Sequence, residues 1–292
     1  VLTPQIEEKT IAVYGLGFVG LTLAATFANA GVKVVGIDLN KNLIEKLQQG
    51  ITPFYEKGLD SLLTLLIQKN PIQYTSSPLE FASDVHIVSV GTPVNSEGKP
   101  NLQSVTIVCE MIVKVLKRND IVIFRSTLPV GTMRNIVLPI LESSGLKGGV
   151  DFGFAFAPER TIEGKALEEL RSLPQIVGGI NKESTNQAAA IFGQITKTIV
   201  EVDSLEASEL VKLINNTFRD LSFSFANEVA GICDGYNINA FDLIHAANEG
   251  YPRDKIPLPS PGVGGACLSK DPYLYTNQIK HTGTIPILGI AS

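Results

Sequence analysis

Three residues in one short stretch carry groups suited to covalent chemistry. Ile256 to Tyr275 reads IPLPSPGVGGACLSKDPYLY, with Cys267 ahead of Lys270 and Asp271. The thiolate is the nucleophilic form of cysteine, and a neighbouring lysine lowers the thiol pKa. Asp271 can position a water or hold Lys270. Gly262, Gly264 and Gly265 precede the cysteine, and glycine lets a backbone approach a ligand that a side chain would block. Pro257, Pro259, Pro261 and Pro272 predict a stiff loop, with helix stopped on both sides. Taken alone, the pattern also suits a small buried cysteine in a turn.

Two further groups sit on a predicted helix. Glu206 to Tyr236 lacks proline, and glycine until Gly231, so a long helix of roughly 40 Å is expected. Its apolar residues recur at Leu210, Leu213, Ile214, Phe218, Leu221, Phe225 and Val229. Lys212 and Asn216 share one face, pointing either into a cleft or along a solvated stripe. Cys233 reads as core. A short helix at Phe241–Asn248 leads on to the cysteine loop. Earlier in the chain, a strand at Phe152–Phe156 delivers Ala157-Pro158-Glu159-Arg160, then Glu163. Glu159 is thus a carboxylate at the mouth of a sheet, or part of a solvated charged turn. His86 lies inside a predicted strand and reads as packed; His245 and His281 belong to no cluster.

These groups need a scaffold, and the first half of the chain supplies one. Thr10–Gly15 is an apolar β-forming run, followed at once by Gly15-Leu16-Gly17-Phe18-Val19-Gly20 and an amphipathic helix to Asn29. A second strand, Val32–Asp38, ends in an acid 18 residues past Gly20. That context turns a weak glycine motif into a dinucleotide fingerprint. Gly15 makes the tight turn, Gly17 admits a pyrophosphate to the helix N-terminus, and Gly20 lets helix and strand pack closely. Asp38 can accept from ribose hydroxyls and would repel a 2′-phosphate, which favours NAD over NADP. Strand and helix then alternate: helices at 41–49, 58–69, 105–117 and 183–193, strands at 72–74, 85–90, 120–124, 152–156, 175–179 and 198–202. Gly91-Thr92-Pro93 and Thr127 fall at strand C-termini, which face the ligand crevice in doubly wound sheets. Cys109 is a core thiol on the 105–117 helix.

Composition is consistent with this. A chain of 292 residues suggests two domains, and 44% hydrophobic residues with 26 glycines suit α/β architecture. The net charge of −5 offers no basic patch for nucleic acid. Cys109, Cys233 and Cys267 fit no metal site and no disulfide framework, so a reducing, cytoplasmic setting is expected. No apolar run is long enough to span a membrane.

With these motifs in order, the sequence resembles the UDP-glucose/GDP-mannose dehydrogenase family. The matching residues are GLGFVG with Asp38, GTP at Gly91–Pro93, STLPVG at Ser126–Gly131, APER at Ala157–Arg160, ELVKLINNTFRD at Glu209–Asp220 and PGVGGACLSKDPY at Pro261–Tyr273. The resemblance implies an NAD-dependent, four-electron oxidation of a nucleotide sugar's C6 alcohol to a carboxylate. It implies Cys267 as nucleophile, Lys212 and Asn216 at the C6 oxyanion, and Asp271 on water or a proton. Glu159 would do acid–base work in thioester hydrolysis, with Thr127 near the nicotinamide. It places Gly15, Gly17, Phe18, Val19, Gly20, Asp38, Gly91, Thr92, Glu163 and Lys270 at the cofactor. Glu159, Arg160, Lys212, Asn216, Gly262 and Gly264 fall at the sugar.

Glu159-Arg160, with Gly164 and Glu169-Leu170, looks like the branch acting on UDP-N-acetylhexosamines, UDP-N-acetylmannosamine above all. UDP-glucose and UDP-N-acetylglucosamine are the alternatives. The sequence departs from that branch at Ala266, where many members have His, and at Leu268-Ser269. A two-electron hydroxyacid-type dehydrogenase and a non-enzymatic NAD-binding module are competing readings. The expected architecture is a doubly wound parallel sheet over 1–203, then a long central helix and a small all-helical domain over 204–292. By resemblance the chain would lack the family's further UDP-binding domain and would dimerise through the central helix.

Overall fold

The computed structural model describes residues 9–95, 99–261, 268 and 270–279. The chain divides into two compact units, Val1–Thr92 with Asn101–Glu209, and Pro93–Pro100 with Leu210–Ser292.

In the first unit β1 (Thr10–Tyr14), α1 (Phe18–Asn29), β2 (Lys33–Ile37), α2 (Lys41–Gln48), α3 (Leu59–Lys69) and β3 (Gln73–Thr75) follow one another. Next come β4 (Val85–Val88), α4 (Gln103–Val113), β5 (Ile121–Phe124), α5 (Leu138–Glu142) and β6 (Gly153–Phe156). α6 (Ala166–Ser172), β7 (Gln175–Gly179), α7 (Lys182–Phe192) and β8 (Ile199–Val202) complete it. Among the described residues the strands form one sheet in the order β3-β2-β1-β4-β5-β6-β7-β8. The order reverses direction between β1 and β4, the switch point at which such sheets bind ligands.

The sheet is covered on both faces, which is why its strands read as continuous apolar runs. Side chains alternate between faces along each strand. Ile11, Val13, Val85, Ile87, Ile121 and Ile123 join a core with α1, α3 and α7. Ala12, Tyr14, Val88, Val122 and Phe124 join the other core, with α4 and α5. Cys109 lies in that second core, fully buried. His86 is packed, as its place in a strand predicts: one ring nitrogen meets Tyr14 Oη at 3.0 Å and the other Asp120 Oδ2 at 3.4 Å.

The sheet differs from the expected all-parallel form at one pair. β6 and β7 are antiparallel. The helix between them, α6, has seven residues, about 10 Å of rise. That is too short to return the chain across the sheet, as a parallel crossover requires. α7, with 11 residues, does return it, and β7 and β8 are parallel. A turn of π-helix at Met133–Val137 ahead of α5 is a second feature that the periodicity does not announce.

The second unit holds most of α8 (Leu205–Gly235), then α9 (Ala240–Asn248) and α10 (Asp271–Ile279). α10 corrects the reading of Ile256–Tyr275 as loop throughout. Pro272 is its second residue, where a missing N–H costs nothing and the fixed φ suits a helix. No helix of the described residues is long and apolar enough to cross a membrane.

The first turn of α8 belongs to the first unit and is stitched into it. Glu209 is buried, and its carboxylate accepts the backbone N–H groups of Gly131 at 2.6 Å and Met133 at 2.8 Å. Ser208 Oγ donates to Phe156 O at 2.9 Å, and Glu206 pairs with Arg134. Burial pushes the Glu209 carboxyl from 4.5 up to about 7, against the pull of its two backbone donors; Glu206 adds to the rise and Arg134 opposes it. A folded-state pKa above the unfolded value means that the native state holds the extra proton between these limits. The stability it contributes is therefore complete below pH 4.5 and lost as pH rises through about 7. The full effect is ~3 kcal/mol. Urea titrations at pH 5 and pH 8 should show this loss in the wild type and a flatter difference in Glu209→Gln. An unchanged difference would place the titration elsewhere.

Candidate active site

The turn after β1 is shaped by backbone constraints. Gly15 has φ +88°, and its amide donates to Ile37 O at 2.8 Å. A Cβ on Gly20 would stand 1.8 Å from Gly15 O, whereas one on Gly17 would meet nothing within 4 Å. Gly20 is therefore required by packing, and Gly17 is not. Gly17 is the N-cap of α1, has no side-chain cap, and is followed by a first turn without an acid. Phe18 and Val19 are half-buried at the start of that helix. Asp38 Oδ2 accepts from Leu16 N at 2.8 Å and Oδ1 from Asn40 N at 2.9 Å, which fixes the acid beside the turn.

Gly15, Gly17, Asp38, Gly91 and the α4 residues Ile107 and Met111 line one cleft of about 300 Å³. Ser89, at the end of β4, also lines it. Its hydroxyl oxygen is buried without a hydrogen-bond partner among the described residues. Thr92 Oγ1 donates to Thr127 O at 2.6 Å and Ser126 Oγ to Val90 O at 2.7 Å. These two bonds tie the β4 loop to the β5 loop, and so hold Thr127 in place.

At the end of β6, Glu159 is buried and its Oε2 is ion-paired with the fully buried Arg125. Arg125 also donates to Gln175 Oε1 at 2.8 Å and lies 5.0 Å from the Phe192 ring centroid. Glu159 Oε1 accepts Thr161 N at 2.6 Å. Glu159 is thus a fixed, buried carboxylate and not a solvated turn residue. Arg160 donates to Pro174 O at 2.6 Å, and Glu163 is exposed.

In the second unit, Asn216 Nδ2 donates to Asp271 Oδ2 at 2.6 Å. Asp271 is completely buried, its Oδ1 lacks a hydrogen-bond partner among the described residues, and the Lys270 ammonium stands 3.9 Å from it. Lys212 is half-buried one turn before Asn216. Cys267, Gly262 and Gly264 lie outside the described residues. Among those described, no group of three or more His, Cys, Asp or Glu could hold a metal ion.

Residues 9–196 match the NAD binding domain of the UDP-glucose/GDP-mannose dehydrogenase family, and residues 206–288 match its central domain. The chain belongs to this family. It is 35% identical over 271 residues to a UDP-N-acetyl-D-mannosamine dehydrogenase of Pyrococcus horikoshii, covering 92% of this chain and 64% of that protein. It is 32% identical to an NDP-N-acetyl-D-galactosaminuronic acid dehydrogenase of Ralstonia nicotianae, again over 92% of this chain and 64% of the relative. The solved UDP-N-acetylmannosamine dehydrogenase from P. horikoshii superposes with a TM-score of 0.91, covering 97% of this chain and 67% of that one. A UDP-glucose dehydrogenase from Pyrobaculum islandicum gives 0.87 at 26% identity, over 100% and 68%. The chain thus spans about two thirds of the length of its relatives.

The family's cofactor is NAD, and the cleft suits it. The space over Gly17 is open where a side chain would intrude, the buried Ser89 hydroxyl has no partner among the described residues, and Asp38 is fixed beside the glycine turn. The sequence passed over Ser89 and Arg125. Ser89 falls inside the strand expected at 85–90, where nothing sets it apart. Arg125, ending an apolar strand, is a stronger signal, because a buried guanidinium demands a buried acid.

The contrast between the two glycines is testable. Gly17→Ala should leave stability unchanged or raised by ~0.4–1 kcal/mol, yet weaken NAD binding by roughly tenfold or more, about 1.4 kcal/mol. Gly20→Ala should destabilise the fold beyond the ~1–3 kcal/mol of ordinary overpacking. Calorimetric titration and thermal unfolding measure both; a Gly17→Ala protein that binds NAD like the wild type would count against the cleft.

Proposed function

We propose that this chain carries the cofactor and catalytic segments of an NAD-dependent UDP-sugar 6-dehydrogenase acting on UDP-N-acetylmannosamine. The observation that carries this reading is the Asn216–Asp271 pair. It sets an amide and a wholly buried carboxylate together, four residues past the cysteine. An amide nitrogen has two hydrogens, so Asn216 can hold Asp271 with one and offer the other to an oxyanion. The names of several relatives and the Glu159-Arg160 pair support the sugar.

NAD held at the cleft of Gly17 and Asp38 would supply the oxidant, a hydride leaving C6 in each of two passes. Over both, one CH2OH, two NAD+ and one water give a carboxylate, two NADH and three protons. Cys267 attacks the C6 aldehyde left by the first pass. The C–S bond so formed makes a thiohemiacetal, whose oxidation gives a thioester. Lys212 and Asn216 stabilise the C6 oxyanion at each stage. Asp271 and Glu159 position the water and take its proton as the thiolate leaves. Covalent capture divides a hard oxidation and prevents loss of the aldehyde. Thr127 lies at the nicotinamide side, Glu163 and Lys270 at the cofactor, and Arg160, Gly262 and Gly264 at the sugar. The enzyme works in the cytoplasm and supplies a uronate for surface polysaccharide.

We also propose a homodimer through α8. Ile214, Phe218, Phe225 and Ile232 are exposed along the helix, Phe218 at 68% and Ile232 at 63%. Phe218, Leu221 and Phe225 line an apolar groove with Ile256 and Pro257. Spacings of four and seven place Ile214, Phe218, Phe225 and Ile232 on one face.

In the full-length protein, UDP-N-acetylmannosamine should yield two NADH per sugar, and Cys267→Ala should abolish the second. One NADH per sugar in the wild type would remove the thioester step, and turnover of UDP-glucose alone would reassign the sugar. Light scattering should show a dimer that Phe218→Asp converts to monomer. A monomeric wild type would end the dimer proposal.

A further inference from the structure

Glu56 has no part in the chemistry above, yet it is a buried acid, 2% exposed. Both its oxygens accept backbone N–H groups, Oε2 from Gly164 at 2.7 Å and Oε1 from Ala166 at 3.0 Å. Ala166 opens α6, and the residue at its N-cap, Lys165, provides no side-chain cap. A helix start is usually capped by a nearby Ser, Thr, Asp or Asn. Here the acceptor comes from a distant part of the chain.

The loop from Glu159 to Ala166 is held almost wholly by carboxylates. Thr161 N donates to Glu159, Ile162 N to Glu169, and Gly164 N and Ala166 N to Glu56. Glu159 and Glu169 belong to the loop and its own helix, and Arg125 and Pro174 hold the side chains of Glu159 and Arg160; among the described residues Glu56 is the acid from outside that takes the loop's backbone N–H groups. The segment around Glu56 is itself fixed at the cofactor turn. The Phe54 ring lies 5.3 Å from that of Phe18, the first residue of α1, and α6 packs on α1. Leu59, which follows Gly58, is fully buried.

We propose that Glu56 is a positioning residue for the oxidation, holding the loop that carries Glu159, Arg160 and Glu163 in register with the cofactor turn. The proposal rests on the roles given to those three residues under the proposed function. Charge-assisted hydrogen bonds are about twice as strong as neutral ones, so a carboxylate fixes this loop more firmly than an amide would. Glutamine at position 56 keeps the shape but has one acceptor oxygen, and its NH2 would face the second backbone N–H.

The test uses the full-length protein. Amide hydrogen exchange at Gly164 and Ala166 is measured first in the wild type, then in Glu56→Gln and Glu56→Asp, with kcat and KM for each. The expected result is protected amides in the wild type that exchange roughly tenfold faster in Glu56→Gln, and kcat down by roughly tenfold. KM for NAD should stay within about threefold, and Glu56→Asp, which keeps both acceptors, should recover part of kcat. Wild-type amides that exchange like an exposed loop would overturn the proposal. So would faster exchange in Glu56→Gln with kcat unchanged, or a loss of stability alone. If Glu56→Gln does not fold, Glu56→Asp is read by the same criteria. Failure of the wild type to form two NADH would sink the functional reading, and the exchange rates would still decide whether the latch exists.

Discussion

The loops at the carboxyl ends of a parallel sheet face a common constraint. Their backbone N–H groups leave the ladder, and burying one without a partner costs ~1–3 kcal/mol. Here buried or half-buried carboxylates take them. Asp38 accepts from the β1 turn, Glu209 from the β5 loop, and Glu56, Glu159 and Glu169 from the β6 loop. These three loops of the first unit thus owe their conformations to acids. Each acid is held in turn by burial or by a partner such as Arg125.

This arrangement decides where an anion can go. At 161, 162, 164 and 166 the N–H groups already end on carboxylates. A phosphate brought there would meet negative charge. At α1 the opposite holds, since Gly17 provides no side-chain cap and the first turn has no acid. The helix dipole is left uncompensated there, which is what a pyrophosphate requires. The carboxyl end of the sheet therefore offers an open helix N-terminus at the glycine turn, and a closed, acid-bound loop after β6.

Much of this was legible in the sequence because it is local. The glycine turn, Asp38 and the apolar strands are each set by residues within one βα unit, and their alternation gives the doubly wound class. The long helix was legible from its lack of Pro and Gly, and the structure places it at Leu205–Gly235. What was not legible is non-local. Nothing near Glu56 or Glu209 announces that their acceptor oxygens serve amides about a hundred and about eighty residues away. The antiparallel β7 depends on how far a seven-residue helix carries the chain, a matter of length and not of pattern. α10 was missed because Pro272 reads as a helix breaker unless its place at the helix start is known.

The cysteines show how the same physics separates reactive from inert groups. Cys109 sits in the core behind β4 and β5, where burial, with Glu110 adding to it, pushes its thiol up to about 12. At neutral pH such a thiol stays protonated, and the thiolate is the form that attacks carbon. Cys233 is buried as well, at 1% exposure. A nucleophilic cysteine needs the reverse setting, a polar neighbourhood with a cation close by. The ammonium of Lys270 and the Asn216–Asp271 pair provide such groups within the second unit. Burial thus keeps the Cys109 thiol protonated and inert, as its place in the core between strands and helix requires.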